Sequence, residues 1–153
     1  MRWMLSPYRR YFKFRGRSRR TEFWPFALGF AIVLAALGLS ERVLGDSRII
    51  DPLRGLFVLG SFIPGLAVTV RRLHDASRTG WWAALPFTPV FLALILVPFD
   101  EEAGETTYQS IGLSVFLCPA ILLVMLAWKG TTGPNRFGAD PRNPAAGLEA
   151  VFG

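Results

Sequence analysis

The sequence contains little of what metal centres and disulfides require. It has one histidine and one cysteine among 153 residues. This is too few for a zinc site within one chain, and it excludes an internal disulfide. We therefore predict no metal site and no cofactor. The cysteine, Cys118, lies in an apolar stretch, and we interpret it as a small buried hydrophobic residue.

Charged residues are missing from four long stretches, residues 23–39, 55–70, 79–99 and 111–128. Each stretch approaches the roughly 20 residues that a helix needs to cross a bilayer. Only 18% of all residues are charged and the mean hydropathy is +0.36, which is unusual for a soluble domain. Ion and proton pathways normally use ionisable groups within the membrane, so their absence argues against a pump, a coupled transporter or an ion channel.

The uncharged stretches predict an all-α membrane protein with four transmembrane helices in a compact bundle. The spans are expected at about residues 23–40, 53–70, 79–99 and 111–128, within a transmembrane domain of residues 23–128. A basic, aromatic segment precedes this domain (1–22) and a tail follows it (129–153). We expect the tail to be mostly disordered after residue 141, because it is short and rich in Pro, Ala and Gly. The first stretch lacks a clear small-x-small cleavage site, which favours a retained signal anchor.

Basic residues are distributed unevenly among the segments that connect the spans. If both ends of the chain lie on one side, the N-terminal segment, the second loop and the tail hold 14 Lys and Arg, against three in the other loops. An excess of Lys and Arg in short loops marks the cytoplasmic side. We therefore predict that both termini and residues 71–78 face the cytoplasm and that the acidic loop at residues 100–105 faces out.

The basic N-terminal segment also bears on the choice of partner. In a soluble protein, arginines interleaved with aromatic residues would indicate nucleic-acid binding. Here the first span begins three residues after Arg20, so the cluster lies against an anionic leaflet that attracts each cation by about 1 kcal/mol. We therefore expect membrane lipids with anionic headgroups as partners, and no nucleic acid. A partner protein or a second copy of the chain stays open.

Small residues recur at four-residue spacing in the first two spans. They are Ala27, Ala31 and Ala35 in the first span, and Ser61, Gly65 and Thr69 in the second. Such faces let helix backbones approach closely in lipid, so we expect the two helices to touch through them. Pro86 and Pro89 are interior to the third span and should make it the least regular of the four.

Three polar motifs accompany the spans, and the predicted orientation places all of them in the cytoplasm. They are YFKFRGRSRRTEFW (residues 11–24), RRLHDASRTGWW (71–82) and GTTGPNRFGADP (130–141). Together, in this order around four spans, they resemble the bacterial inner-membrane family named "domain of unknown function 805". The resemblance implies a location in the bacterial plasma membrane and supplies no activity. Ala139 departs from the family pattern, which often has proline there.

The middle motif leaves three interpretations open. It is a topology-setting hairpin in the first, with Trp81 and Trp82 as interfacial anchors, a role we also predict for Trp24 and Trp128. In the second, Arg71, Arg72 and Arg78 hold a phosphate through their guanidinium groups, with His74 as an added donor. In the third, His74 is an acid–base catalyst and Asp75 orients it. Adjacent residues on a helix point about 100° apart, which makes the last pairing a weak signal.

The other two motifs add candidate binding residues. Glu22, the only acid of the N-terminal segment, suits the start of a helix; it is also placed to pair with Arg19 or to reach Arg71, Arg72 or Arg78. Gly133, Pro134 and Asn135 form a turn signal, and Arg136 follows it. Our hypothesis is that the three motifs close into one polar layer, which requires Arg136 to lie within roughly 20 Å, two helix diameters, of His74.

These observations lead to one functional interpretation with two alternatives. We expect a non-enzymatic inner-membrane module whose cytoplasmic Arg/His/Asp/Glu layer binds an anionic lipid headgroup or a partner protein. The first alternative is a small membrane enzyme that acts on a lipid or isoprenoid through His74 and Asp75. The second is a component of a channel or transporter, which the uncharged spans disfavour.

Overall fold

The computed structural model describes residues 5–45, 47–96 and 105–143. Its helices are α1 (Ser6–Arg9), α2 (Arg20–Leu44), α3 (Ser47–Asp75), a 3₁₀ helix (Gly80–Phe87), α4 (Thr88–Leu96) and α5 (Glu105–Ala127). Within these described ranges the β structure is one isolated bridge between Asn135 and Gly138. The predicted all-α architecture is confirmed. The acidic residues 100–102 and the tail from residue 144 lie outside the described ranges.

Three helices, α2, α3 and α5, are long and apolar enough to cross a membrane. The 25 residues of α2 correspond to about 37 Å at 1.5 Å per residue, more than the roughly 30 Å of a hydrocarbon core. Helix α2 begins after the extended residue Arg19 and ends at Gly45, whose φ of 67° is left-handed. The connection to α3 is shorter than the loop that the charge pattern predicts, because α3 begins at Ser47 and both Glu41 and Asp51 lie on the helices themselves.

The third apolar segment is irregular, as its prolines predict. Its first half forms the 3₁₀ helix, which contains Pro86, and its second half forms α4, with Pro89 in the first turn. Proline removes a helical N–H donor and clashes with the preceding turn, which explains the change of helix type. This segment, Gly80–Ile95, is shorter than the other three, and residues 97–99 of the predicted span lie outside the described ranges.

Apolar burial concentrates at one end of the helices, where α2 begins and α3 and α5 end; we call it the polar end, and the opposite end the distal end. The buried apolar cluster comprises Phe23, Phe26, Val68, Leu73, Ala83, Leu122 and Leu126. Most large apolar side chains elsewhere on the helices are exposed, including Leu28, Leu59 and Phe116. Exposed apolar surface of this extent marks a contact with a membrane or with another protein.

Helices α2 and α3 touch, but the predicted small-residue face of α2 is packed only at its first position. On α3, Gly65 lies against Phe26, and a Cβ placed on it would be in ordinary contact with the ring, at 3.5 Å. On α2, Ala27 is half-buried against the apolar cluster, whereas Ala31 and Ala35 are exposed, so the prediction that these two form the contact is wrong. Aromatic side chains of α2 fill the space instead: Phe30 stacks on Phe57 of α3 with centroids 5.3 Å apart.

Candidate functional site

At the polar end, the segment before α2, the end of α3 and the segment after α5 meet. We call their shared buried and half-buried polar residues the polar layer. It comprises Arg17, Ser18, Glu22, Arg71, Arg72, His74, Asp75, Thr131 and Asn135. Each of the three sequence motifs contributes to it, since motif one supplies residues 17–22, motif two residues 71–75 and motif three residues 131–135.

Asp75, the last residue of α3, is the centre of the polar layer. Arg17 donates from Nε to Oδ1 at 3.0 Å, and Arg72 donates from Nη1 to Oδ2 at 2.6 Å. All three side chains are at most 2% exposed. The Asp75 backbone carbonyl also accepts the Thr131 N–H at 2.8 Å. Asp75 therefore connects the N-terminal segment and α3 through its carboxylate, and the C-terminal segment through its backbone carbonyl.

The other guanidinium N–H groups of Arg17 and Arg72 donate to backbone carbonyls. Arg17 Nη1 donates to Gly133 O at 2.6 Å. Arg72 Nε donates to Leu126 O at 2.9 Å, and its Nη2 donates to Trp128 O. The last carbonyls of a helix have no partner within the helix and attract cations, so Arg72 caps the C-terminal end of α5. Burial of these guanidinium groups is compensated by this complete set of acceptors.

Gly130 permits the C-terminal segment to pass directly over Asp75. A Cβ at this position would lie 1.9 Å from Asp75 Oδ2, far inside van der Waals contact. Glycine is needed here for close approach, not for a left-handed backbone. The next residue, Thr131, then reaches the Asp75 carbonyl through its N–H.

Glu22 and Arg71 form a second buried pair beside the first. Arg71 Nη1 donates to Glu22 Oε1 at 3.3 Å, and the hydroxyls of Ser6 and Ser18 each donate to the Glu22 carboxylate at 2.7 Å. The Ser18 N–H also donates to the Arg71 carbonyl at 3.0 Å. The predicted ion pair between Glu22 of the first motif and Arg71 of the second is confirmed.

His74 belongs to a stack of rings at the edge of the layer. Its imidazole lies parallel to the Phe137 ring, with centroids 4.0 Å apart and planes 4° apart. The guanidinium of Arg136 lies 4.7 Å from the centroid of Phe137. His74 Nδ1–H donates to Gly16 O at 3.2 Å, and Asn135 Nδ2 donates to the His74 carbonyl at 3.0 Å. Arg136 thus lies far closer to His74 than 20 Å, and the predicted convergence of the three motifs is confirmed.

The structure does not form the acid–base pair of His74 and Asp75 that the third interpretation requires. The imidazole bonds to Gly16, whereas both carboxylate oxygens accept from arginines. The reason is the helix itself, which points adjacent side chains about 100° apart. Within the described ranges no group of three His, Cys, Asp or Glu could hold a metal ion.

Several of the predicted binding residues do not belong to the polar layer. Arg19 is the extended residue before α2 and is half-buried. Arg78 is exposed, with its guanidinium 5.9 Å from the centroid of Trp82. Four exposed tryptophans flank the polar end of the helices: Trp24, Trp81, Trp82 and Trp128.

Sequence reasoning missed four residues of the site, Arg17, Ser18, Gly130 and Thr131. Arg17 lies among six other basic residues between positions 9 and 20, and nothing in its local sequence separates it from them. Its partners lie 58 and 116 positions away. The sequence feature that could have identified Arg17 and Gly130 as site residues is that both lie within the motifs.

Asp140 orders the C-terminal segment beyond the layer. The pKa of its carboxyl is lowered because the carboxylate accepts the backbone N–H of Arg142, and also that of Gly133. The two bonds are 2.9 and 3.0 Å long. The GPNRFG turn is therefore closed by a carboxylate at its far side.

The family model described as "Protein of unknown function (DUF805)" matches residues 11–139. This range contains the first two motifs completely and the third motif except for its last two residues, 140 and 141. The chain belongs to this family. The resemblance drawn from the motifs is confirmed, and the polar layer is where these family motifs meet.

Relatives in Escherichia coli (strain K12) resemble the chain over most of its length. The inner membrane protein YhaI is 36% identical over 142 residues, which cover 93% of this chain and 97% of the relative. The inner membrane protein YhaH is 37% identical over 147 residues, covering 93% and 98%. The uncharacterized protein YiiR is 33% identical over 140 residues, covering 86% and 88%. No solved structure matches the chain.

Proposed function

We propose that this protein is a non-enzymatic module of the bacterial plasma membrane whose polar end faces the cytoplasm and binds anionic lipid headgroups. The observation that carries the proposal is a separation of charge at that end. Its three acids in the described ranges, Glu22, Asp75 and Asp140, are all buried. Its exposed basic residues are Arg9, Arg10, Lys13, Arg15, Arg78, Lys129, Arg136 and Arg142. The outer surface is therefore strongly positive.

In this proposal the buried and exposed basic residues have different roles. Arg17 and Arg72 are committed to Asp75 and to backbone carbonyls, so they hold the three segments together. The exposed cations meet the leaflet, where each is attracted to anionic lipid by about 1 kcal/mol. Trp24, Trp81, Trp82 and Trp128 sit at interfacial depth, where indole rings are favoured. The same surface is also available to an acidic partner protein.

The proposed topology has four spans with both termini inside. A 3₁₀ helix rises about 2.0 Å per residue and an α-helix about 1.5 Å, so the eight residues of the 3₁₀ helix and the nine of α4 extend over about 30 Å. That length is close to the thickness of a hydrocarbon core. Labelling with a membrane-impermeant thiol reagent tests the topology. In a Cys118→Ser background, Ala139→Cys, at an exposed position, should react in inside-out vesicles and not in intact spheroplasts, and the opposite result contradicts the proposed orientation.

Lipid selectivity is the direct test of function. In mild detergent, native mass spectrometry of the full-length protein should show tighter binding of phosphatidylglycerol than of phosphatidylcholine with the same acyl chains. Arg9→Gln combined with Arg15→Gln should reduce this preference roughly thirtyfold, because each cation contributes about 1 kcal/mol and every 1.4 kcal/mol is a factor of ten. Arg42→Gln, an exposed arginine at the distal end, is the control and should leave the preference unchanged. Equal binding of both lipids to the unsubstituted protein contradicts the proposal.

The enzymatic alternative makes a different prediction about the ring stack. An enzyme that uses His74 would lose nearly all turnover in His74→Gln, whereas a binding module would keep its lipid preference. The geometry does not favour the enzyme, because the Asp75 carboxylate is occupied by two arginines.

A further inference from the structure

A groove runs along the outside of the helices at the polar end, separate from the polar layer. Its volume is about 450 Å³, and Leu66 and Val70 of α3 form one wall. The 3₁₀ helix forms the other wall through Trp81, Ala84 and Phe87. Phe14 of the first motif also lines the groove, so residues of two family motifs contribute to it.

The close approach of the two walls depends on Gly80. A Cβ at Gly80 would lie 2.8 Å from Val70 Cγ1, so a larger residue would push the 3₁₀ helix away from α3. The lining residues carry no charged side chain. A groove of this chemistry suits an apolar, chain-like occupant rather than a polar metabolite.

Basic residues lie close in sequence to the apolar residues that line the groove. Arg15 directly follows Phe14 and is exposed. Arg78 lies two residues before Gly80 and is exposed, with its guanidinium 5.9 Å from the centroid of Trp82. Two exposed cations thus lie within two residues of positions that line the groove, and the buried acids of the polar layer are already paired. This juxtaposition is complementary to one molecule that has an anionic head and an apolar tail.

We propose that this groove binds one acyl chain of an anionic phospholipid, whose phosphate is held by Arg15 and Arg78. The inference rests on the proposed function and specifies where a lipid is retained. An acyl chain already lies in an apolar medium, so the groove offers it no hydrophobic gain. Retention instead comes from close packing along the walls and from charge-assisted hydrogen bonds to the phosphate.

Filling the groove separates this proposal from general headgroup attraction. Ala84 lines the groove and is exposed, so Ala84→Phe should occupy it. Binding of dioleoyl phosphatidylglycerol to the full-length protein, measured by native mass spectrometry, should weaken about tenfold. The matched control is Ala31→Phe at an exposed position of α2, which should change the affinity by no more than about twofold. Ala84→Leu serves as a second groove variant if Ala84→Phe is not monodisperse on gel filtration.

The outcomes distinguish the two proposals. If both Ala84 variants bind like the unsubstituted protein while Arg15→Gln and Arg78→Gln weaken binding, the groove is not the site and headgroup binding stands. If glycerol phosphate, which has no chain, competes as well as the lipid, the groove contributes nothing and this inference is wrong. If phosphatidylcholine with the same chains binds equally well, the proposed function itself fails.

Discussion

At the distal end, Arg54 contacts Glu41 at 3.0 Å and also contacts Asp51, with side chains that are 34–47% exposed. At the polar end, Arg17 and Arg72 contact Asp75 with side chains that are at most 2% exposed. Both clusters consist of arginine and carboxylate. The first resembles an ordinary exposed ion pair, worth about 0–1 kcal/mol. The second is a buried network in which the loss of one partner leaves charges without compensation.

The comparison shows that the residue types in an ion pair do not determine how much the pair contributes to stability. In the distal cluster, water can replace either partner. In the polar layer, the Asp75 carboxylate holds Arg17 and Arg72, and these arginines also bind carbonyls of the C-terminal segment and of α5. The charge of Asp75 therefore helps to hold the C-terminal segment on the end of α3. We therefore expect matched substitutions at the two ends to differ strongly.

The largest contrast is expected between Asp75→Asn and Asp51→Asn. Asp75→Asn leaves two buried guanidinium groups without their counter-charge and should lower the free energy of unfolding by about 3–5 kcal/mol. Asp51→Asn should cost no more than about 1 kcal/mol. Thermal unfolding of the purified protein in detergent, followed by intrinsic fluorescence, measures both. Similar losses for the two variants would mean that the buried network does not hold the polar end together.

Two glycines, one within the first half of α5 and one after its C-terminal end, should respond with opposite signs. Gly130→Ala places a Cβ against the Asp75 carboxylate and should destabilise the protein by about 1–3 kcal/mol through overpacking. A Cβ at Gly112, within α5, would have nothing within 4 Å of it, so Gly112→Ala should stabilise the helix by up to about 1 kcal/mol. The same unfolding measurement applies, and a neutral Gly130→Ala would show that the segment can shift away from Asp75.

The ring stack should contribute less than the ion pairs. Phe137→Leu keeps an apolar side chain but loses the parallel contact with His74, and should cost about 0.5–1.5 kcal/mol. Phe116→Leu, at a position exposed towards lipid, should change the free energy of unfolding by less than about 0.5 kcal/mol. If the two variants are equally stable, the contact between His74 and Phe137 does not contribute to the free energy of unfolding.

The smallest expected effect concerns Asp140 and pH. Backbone N–H groups of Arg142 and Gly133 lower the pKa of this carboxyl in the folded protein. A lowered folded pKa adds stability above the unfolded pKa, and this stability disappears as pH falls through the folded pKa. The unsubstituted protein should therefore be more stable than Asp140→Asn at neutral pH, and the two should converge in acid. A pH series of melting temperatures measures this, and a constant difference at all pH values contradicts the assignment.

The apolar stretches were sufficient to predict the helices, and the motifs were sufficient to predict the family. Helix periodicity and hydropathy are local properties, so α2, α3 and α5 could be recognised from neighbouring residues alone. Proline chemistry is also local, which is why the irregular segment with Pro86 and Pro89 was foreseen. The small-residue face of Ala31 and Ala35 was not borne out, because the ring of Phe30 occupies the contact with Phe57, a choice that depends on the other helix.

In the candidate site, Glu22, Arg72 and Asp75 could be named from the sequence because they are rare charges beside apolar stretches. The pairing of Asp75 with Arg17 and Arg72 could not be derived. Arg17 is one of several arginines in its segment, and only packing selects it for burial against a carboxylate 58 residues away. Gly130 is required only because the Asp75 carboxylate lies where its Cβ would be.

Composition and local pattern thus decide which segments are helical and apolar, since these properties depend on neighbouring residues. Tertiary structure decides which charges of this protein are buried and which remain on its surface. The reason is that burial of a charge is tolerated only where a partner and its hydrogen bonds are brought into place. At the polar end, segments separated by more than a hundred residues supply those partners, and no local pattern contains that information.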